Sequence, residues 1–153
     1  MVYVTLGTQK ESFARLLDCI EKSQTKQKII VQAGHTKYVS AKMTILDFVT
    51  PEQNRDYLKR ADIIITHGGT GSILTALKMG KKVIACARLK KYDEHVDDHQ
   101  EELVKAFAKE GYIIEFNESD SLKTLLKTAG RFKPKKYISN TPNFIKHLIQ
   151  EID

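Results

Sequence analysis

Two short runs of apolar residues constrain the fold of this chain more than any other feature of its sequence. Ile63-Ile64-Ile65 and Val83-Ile84-Ala85 are apolar at every position, whereas a strand with one face in water alternates apolar and polar residues. Strands buried on both faces are typical of a parallel sheet covered by helices. Helical patterns separate most of the strand patterns, in the order β-α-β-β-α-β-α-β-α-β-α. The sequence therefore predicts an α/β fold with a doubly wound parallel sheet.

The bounds of the elements follow from apolar periodicity and from residues that begin or end helices. Pro51 suits the first turn of a helix, and Gly80 and Gly111 suit the positions just after two others. The passage from Ala33 to Thr44 contains no helical pattern and resembles a hairpin connection. We predict strands at 2–5, 28–33, 44–48, 62–66, 82–87 and 112–115, and helices at 12–22, 51–59, 70–79, 98–110, 121–128 and 142–152.

Length and composition predict a single cytoplasmic domain. A chain of 153 residues has the size of one ordinary domain, and no apolar run has the length of a membrane span. The first residues read as a strand and lack the basic start of a signal peptide. Cys19 and Cys86 lie in separate apolar patterns, which favours buried free thiols over a disulfide. We expect a core at 1–129, followed by a basic linker and a C-terminal helix at 130–153.

The chain has a formal net charge of +6, and many of its basic residues lie late in the sequence. A solvated, lysine-rich surface explains this pattern most simply. The second interpretation is attraction to an anionic membrane surface or to a lipid diphosphate. Nucleic acid ranks last, because the basic stretch has few aromatic residues on which bases could stack. The late basic residues are Lys123, Lys127, Arg131, Lys133, Lys135 and Lys136.

The segment 66–72, which reads Thr-His-Gly-Gly-Thr-Gly-Ser, lies between a strand pattern and a helical pattern. Glycine lets a ligand approach the backbone closely, and a helix start presents unpaired N–H groups and the positive end of its dipole. Such a turn binds phosphate or another anion. It lacks the Gly-Lys-Ser/Thr ending of a P-loop and does not follow the first strand, as a dinucleotide fingerprint does. The alternative is a plain capped helix start, with Thr70 or Ser72 as the N-cap.

Four other segments are predicted to meet this one, because ligands of open α/β sheets bind beyond the carboxyl ends of the strands. They are 7–9, 34–36, 48–50 and 88–100. Thr8 alternatively caps a helix, and Phe48 alternatively belongs to the core.

The long polar segment 88–100 has three interpretations. Its Asp, His and Gln side chains supply the donors and acceptors that a sugar needs. A metal site at His95 and His99, with Asp97 and Asp98, fits the composition less well. In the third interpretation, Asp98 caps the following helix, with Glu101 completing a capping box.

Together these segments resemble the C-terminal, nucleotide-sugar-binding half of the family 28 glycosyltransferases, from residue 2 to about residue 125. The resemblance is closest to the one-domain subunits of that family, from eukaryotic dolichol-linked N-acetylglucosaminyl transfer and from bacterial exopolysaccharide and capsule synthesis. The bacterial pattern usually has Pro where Ala87 precedes Arg88. The matching residues are Val4-Thr5-Leu6-Gly7-Thr8 with Phe13, Val31-Gln32-Ala33-Gly34, His67-Gly68-Gly69-Thr70-Gly71-Ser72, and Glu94-His95-Val96-Asp97-Asp98-His99-Gln100.

The resemblance implies the Rossmann-like C-terminal half of a GT-B enzyme, which holds a UDP-sugar. It implies that the diphosphate faces Gly7, Thr8, Gly68, Gly69, Thr70, Gly71 and Ser72, that the uracil lies beside Phe48 and Val49, and that Asp98, His99 and Gln100 contact the sugar or ribose. Arg88, by its sign and position, is expected to counter the phosphate charge.

The implied reaction is an inverting transfer that uses no bound metal and no cofactor. The general base of such enzymes commonly lies on the acceptor half, which this chain is too short to contain. We therefore expect a membrane-anchored partner subunit, a lipid-linked sugar diphosphate acceptor, and recruitment to the cytoplasmic face of the membrane. His67, His95 and His99 are the fallback candidates for the base. The alternatives are a non-catalytic nucleotide-binding or activating subunit and a UDP-sugar epimerase, which would normally need both halves in one chain.

Overall fold

A computed structural model of the protein describes residues 1–138 and Lys146. The predicted last helix, 142–152, lies outside the described residues apart from Lys146. The strands, numbered along the chain, are β1 (Val2–Thr5), β2 (Ile29–Gln32), β3 (Thr44–Leu46), β4 (Ile63–His67), β5 (Lys82–Cys86) and β6 (Ile114–Glu115). The helices are α1 (Ala14–Lys22), α2 (Pro51–Arg60), α3 (Thr70–Lys78), α4 (His99–Lys109) and α5 (Leu122–Arg131), with a 3₁₀ turn at Lys90–Tyr92.

The strands form one six-stranded parallel sheet in the order β3-β2-β1-β4-β5-β6. From β1 the chain builds outward to β3, then returns to place β4 on the other side of β1. This arrangement confirms the doubly wound α/β fold. It also creates a switch point between the carboxyl ends of β1 and β4, where open sheets of this kind bind ligands.

Helices cover both faces of the sheet, as the continuous apolar strands predict. Alternate residues of β1 point to opposite faces, because side chains alternate along a strand. Val2 and Val4 pack with apolar residues of α1 and α5. Tyr3 lies on the other face, with apolar residues of α2, α3 and α4. Among the described residues, no helix combines the length and the apolar composition needed to cross a bilayer.

The hairpin-like interpretation of the passage between Ala33 and Thr44 is wrong. β3 runs parallel to β2, with Ile30 opposite Thr44. The connection between these two strands therefore returns to the start of the sheet, and it does so without a helix. It is held against α1 instead: the buried hydroxyl of Thr36 accepts a hydrogen bond from the Phe13 N–H at 3.0 Å. A sequence pattern shows that two strands follow each other, but the packing of the connection decides their direction.

A capping box fixes the start of α2, whereas the glycine near the end of α5 does not end that helix. α2 starts with a complete capping box, in which the Thr50 hydroxyl accepts from the Gln53 N–H and the Gln53 side chain accepts from the Thr50 N–H, with Pro51 at the first position. α5 continues through Gly130 to Arg131, beyond the helix end predicted at 128 and across the expected start of the linker. One glycine in a helix costs only about 1 kcal/mol, so it does not end α5.

Candidate functional site

A cleft of about 450 Å³ opens at the switch point between β1 and β4. All five predicted segments reach this end of the sheet, and three of them, 7–9, 48–50 and 66–72, contribute residues to the lining of the cleft. Its lining residues are Thr5, Gly7, Thr8, Gln9, Gln32, Phe48, Val49, Pro51, Asn54, His67, Gly69, Gly71 and Ser72. Segment 34–36 does not line the cleft but supports it, because a Cβ on Gly34 would lie 2.6 Å from the Gly7 carbonyl oxygen.

The start of α3 forms one wall of the cleft. Gly69 is the N-cap residue, and no described side chain caps the first turn. The alternative of a plain helix start capped by Thr70 or Ser72 is therefore wrong. An uncapped first turn presents backbone N–H groups at the positive end of the helix dipole. Gly71 and Ser72 of this turn line the cleft, whereas Thr70 does not.

His67, the last residue of β4, lies at the centre of the site. Its side chain is 6% exposed, with Nε2 at 3.3 Å from Ser72 Oγ and Nδ1 at 3.2 Å from Gln100 Nε2. Burial, followed by the positive charge of Arg88, lowers the pKa of His67 to about 4. The imidazole is therefore neutral near pH 7. A ring with so low a pKa accepts a proton weakly, so His67 is poorly suited to act as a general base.

The glycines of segment 66–72 have different tasks, which the sequence alone does not separate. A Cβ on Gly69 would press on the His67 ring, and one on Gly68 would lie 2.9 Å from Gln100 Cβ. The Gly68 N–H also donates to Gln100 Oε1 at 3.0 Å. The expectation that Gly68 faces a diphosphate is thus wrong, because its amide is engaged in packing α4 against β4. A Cβ on Gly71 would meet no atom within 4 Å, so this residue borders open space in the cleft.

Phe48 and Val49 line the side of the cleft opposite α3. Phe48 is 53% exposed, so the alternative that places it in the core is wrong. Its ring is held edge-on by His35, with the ring centroids 5.1 Å apart. An exposed aromatic ring at the mouth of a cleft offers a flat apolar surface to a planar ligand.

Arg88 does not face the cleft, which corrects the expectation that it counters phosphate charge. Its side chain is 1% exposed. Nη1 donates to the carbonyls of Glu11 and Glu94 at 2.7 and 3.1 Å, and Nη2 donates to the carbonyl of Leu6 at 2.6 Å. The guanidinium also lies 5.0 Å from the centroid of the Phe13 ring. Arg88 therefore ties the loop after β1 to the loop after β5.

The other predicted sugar-binding residues and bases of segment 88–100 do not line the cleft either. Gln100 is 4% exposed and is occupied by contacts inside the protein. Asp98 Oδ1 accepts from the Lys90 N–H at 2.9 Å instead of capping α4. His99 is exposed and pairs with Glu102, and His95 pairs with Asp97. The part of the chain that the structure describes holds no group of three or more metal-binding side chains.

Sequence analysis gave no role to several polar residues of the cleft, although Gln9 lies in the predicted segment 7–9. Gln9 is the most informative, because its Oε1 is buried and has no hydrogen-bond partner among the described residues. Asn54 lies on the first turn of α2, where its Oδ1 accepts from the Tyr3 hydroxyl at 2.7 Å. Gln32 bridges Thr5 and the Asp47 carbonyl. Gln9 directly follows the predicted Gly7-Thr8 pair, whereas Asn54 requires knowledge of how α2 lies over the sheet.

A family model described as the glycosyltransferase family 28 C-terminal domain matches residues 1–152. The chain is 29% identical over 150 residues to the UDP-N-acetylglucosamine transferase subunit ALG13 of Saccharomyces cerevisiae, covering 95% of this chain and 68% of that protein. It is 30% identical over 125 residues to the Homo sapiens protein of the same name, covering 73% of this chain but only 10% of the human protein.

Solved structures share the fold. The NMR solution structure of ALG13 aligns with a TM-score of 0.63 at 20% identity, covering 99% of this chain and 96% of that one. The calicheamicin glycosyltransferase CalG4 aligns at 0.60 and 14% identity, covering 99% of this chain and 37% of the enzyme. MurG of Acinetobacter baumannii aligns at 0.54 and 20% identity, covering 82% and 40%. These likenesses confirm the Rossmann-like α/β fold that the sequence predicts.

Proposed function

The chain belongs to the glycosyltransferase family 28 C-terminal domain family, and from this premise we propose that its cleft binds the UDP-sugar donor of an inverting glycosyltransferase. One observation carries the proposal: the uncapped first turn of α3 opens into the cleft beside the neutral imidazole of His67. Backbone N–H groups and a buried N–H donor stabilise a diphosphate, and they do so more strongly as charge develops on it during transfer.

The shape of the cleft supports one orientation of the donor. The diphosphate lies over Gly69, Gly71 and Ser72, with Gly7 and Thr8 on its other side. The uracil then reaches the exposed ring of Phe48 and the backbone of Val49 on the far wall. The unpartnered Oε1 of Gln9 is an acceptor that a ribose or sugar hydroxyl can satisfy.

The relatives support N-acetylglucosamine as the transferred sugar, because their names state a UDP-N-acetylglucosamine transferase subunit. The exopolysaccharide or capsule role that the resemblance suggested has no such support, since neither name mentions these polymers. We therefore propose UDP-N-acetylglucosamine as the donor and leave exopolysaccharide and capsule synthesis out of the proposal.

The chemistry of the cleft supports the need for a partner subunit. Among the described residues that line it, His67 is the one with a titratable side chain, and none carries a carboxylate. An attacking hydroxyl needs a base within hydrogen-bond reach, and the low pKa of His67 makes it a weak base. We propose that the base and the lipid-linked acceptor lie on a membrane-anchored partner, which recruits this chain to the cytoplasmic face of the membrane.

Calorimetric titration of the purified chain tests donor binding. We expect heat from UDP and from UDP-N-acetylglucosamine, and much weaker binding of ADP, because adenine does not present to the backbone of Val49 the donor and acceptor pattern of uracil. Equal affinity for UDP and ADP contradicts the proposed base site, and no binding of either nucleotide contradicts the donor site.

A transfer assay separates an enzyme subunit from a non-catalytic activator. Membranes from cells that lack this chain are supplied with UDP-N-acetylglucosamine carrying a radiolabelled sugar, and label is measured in extracted lipid. We expect transfer only when the purified chain is added, and none with the Gly69→Ala variant. An activator would leave basal transfer in the membranes and would tolerate that change.

A further inference from the structure

Gln100, the second residue of α4, connects three parts of the site although it does not line the cleft. Its Oε1 accepts hydrogen bonds from the Gly68 N–H at 3.0 Å and from the Arg88 N–H at 3.1 Å. Backbone N–H groups can only donate. The atom that they meet must therefore be the oxygen of the amide, and the orientation of the Gln100 side chain is fixed by its two backbone partners.

This orientation determines what Gln100 presents to His67. The remaining amide group is the NH₂, which only donates, and it lies 3.2 Å from His67 Nδ1. Nδ1 must then accept and carries no proton, so the neutral ring carries its proton on Nε2. The hydrogen bond made by one ring nitrogen sets the tautomer at the other. Nε2 lies 3.3 Å from Ser72 Oγ, on the side of the ring that faces the start of α3.

We infer that Gln100 is a positioning residue that holds His67 in the Nε2–H tautomer, so that a neutral N–H donor is aimed at the anion site of the cleft. This inference deepens the proposed function, because the anion there would be the diphosphate of the donor, but the tautomer itself does not depend on a ligand. Gln100 acts through His67, whose ring lines the cleft.

The surroundings of His67 leave Gln100 as the group that selects the tautomer. The loop after β1 contributes Gly7, and the start of α3 contributes Gly69 and Ser72, none of which carries charge. The charged and titratable groups that act on the ring are Arg88 and His95, both after β5. The positive charge of Arg88 opposes protonation of the ring, but it does not choose between the two nitrogens.

Gln100→Glu is the variant that separates the structural role from the positioning role. One carboxylate oxygen can still accept from the two backbone N–H groups, so the packing of α4 is retained. The other oxygen accepts where the NH₂ group donates, which favours a proton on Nδ1 and a charged ring. Gln27→Glu makes the same chemical change at an exposed position just before β2, at the opposite end of the sheet, and serves as the control.

Long-range ¹H–¹⁵N correlation spectra of the ligand-free protein test the inference directly. We expect the wild type and Gln27→Glu to show a neutral His67 with Nδ1 unprotonated and Nε2 protonated. In Gln100→Glu we expect Nδ1 protonated and a raised His67 pKa. A wild-type ring protonated on Nδ1 overturns the inference, even if the variant does not fold. Unchanged ring shifts and pKa in a folded Gln100→Glu overturn it as well.

Binding of UDP-N-acetylglucosamine distinguishes this inference from the function on which it rests. The diphosphate of this ligand does not titrate near neutral pH, so a neutral donor predicts wild-type affinity independent of pH between about 6 and 8. For Gln100→Glu we expect affinity to fall by roughly tenfold or more at pH 8, since a new buried carboxylate lies near the anion site. If the wild-type tautomer is as inferred and no nucleotide binds, the tautomer stands and the proposed function is overturned.

Discussion

The imidazole of His67 occupies the space in which a side chain on Gly7 would lie, because a Cβ on Gly7 would be 2.5 Å from Nε2. Gly7 also has a φ of +77°, so geometry and space both require glycine there. Gly69 closes the other side of the ring, but its φ of −73° is open to any residue. The two glycines thus make room for a histidine as much as for a ligand.

Gly69→Ala tests the space around the ring, because alanine adopts this backbone without strain. We expect the free energy of unfolding to fall by roughly 1–3 kcal/mol through overpacking, and UDP affinity to fall as His67 is displaced. Urea denaturation and calorimetry measure the two effects. Gly130→Ala, in α5 with no atom of the described residues within 4 Å of the new Cβ, should instead gain about 0.5–1 kcal/mol and leave UDP affinity unchanged. Equal stability of the two variants would contradict the packing argument.

The stability of the protein should fall in acid partly because of His67. The unfolded chain takes up this proton below about pH 6.5, whereas the folded chain does so only near the lowered pKa of about 4. The unfolded state therefore binds more protons across this window, and the free energy of unfolding decreases as pH falls through it, by up to about 3 kcal/mol from this group.

The comparison with His67→Gln isolates that contribution. The difference in free energy of unfolding between wild type and variant should be constant above pH 7 and should shrink as pH falls from 6.5 towards 4. Urea denaturation at a series of pH values measures it. A difference independent of pH would show that the His67 pKa is not lowered in the folded protein.

Arg88→Met tests whether Arg88 is structural. The change leaves the buried carbonyls of Leu6, Glu11 and Glu94 without their donor, and we expect a loss of at least about 2 kcal/mol in stability. Arg60→Gln is the control, because Arg60 is exposed and its contacts are a surface pair with Asp56 one turn earlier in α2 and the face of the Tyr57 ring, each worth less than about 1 kcal/mol. If Arg88→Met instead keeps wild-type stability but binds UDP more weakly, Arg88 balances the phosphate charge and its structural role is contradicted.

Phe48→Ala tests the wall proposed for uracil. Stacking of a base on an aromatic side chain contributes about 1–3 kcal/mol, so UDP affinity should fall by roughly 5-fold to 150-fold with little loss of stability. Val39→Ala removes another exposed apolar side chain, 96% exposed and outside the cleft lining, and should change neither. Unchanged UDP affinity in Phe48→Ala would place the base elsewhere.

The fold was predictable because its signals are local. Continuous apolar runs mark buried parallel strands, and residues such as Pro51 and Gly80 mark helix ends, so most bounds agree within one or two residues. The direction of β3 was not predictable, because it depends on how residues 33–43 pack against α1. The predicted end of α5 at residue 128 was too early, because Gly130 is accommodated in the helix, which continues to Arg131.

Position was predictable for the site, whereas the direction of individual side chains was not. The segments around Gly7, Phe48 and Gly69 do line the cleft. Arg88 and Gln100 lie in the predicted segment 88–100, but their side chains point into the protein and hold the loops that surround the cleft. Nothing in a linear pattern distinguishes a polar side chain that faces a ligand from one that satisfies buried backbone groups.

The central claim is that the start of α3 and the loop after β1 hold a nucleoside diphosphate. Titration of ¹⁵N-labelled protein with UDP-N-acetylglucosamine, followed by backbone amide spectra, tests it most directly. We expect the amides of Thr8, Gly69, Gly71 and Ser72 to shift in a saturable manner, while those of Gly111 and Gly130 remain unchanged. Saturable shifts confined to residues outside this cleft, or no saturable shift at all, would contradict the account.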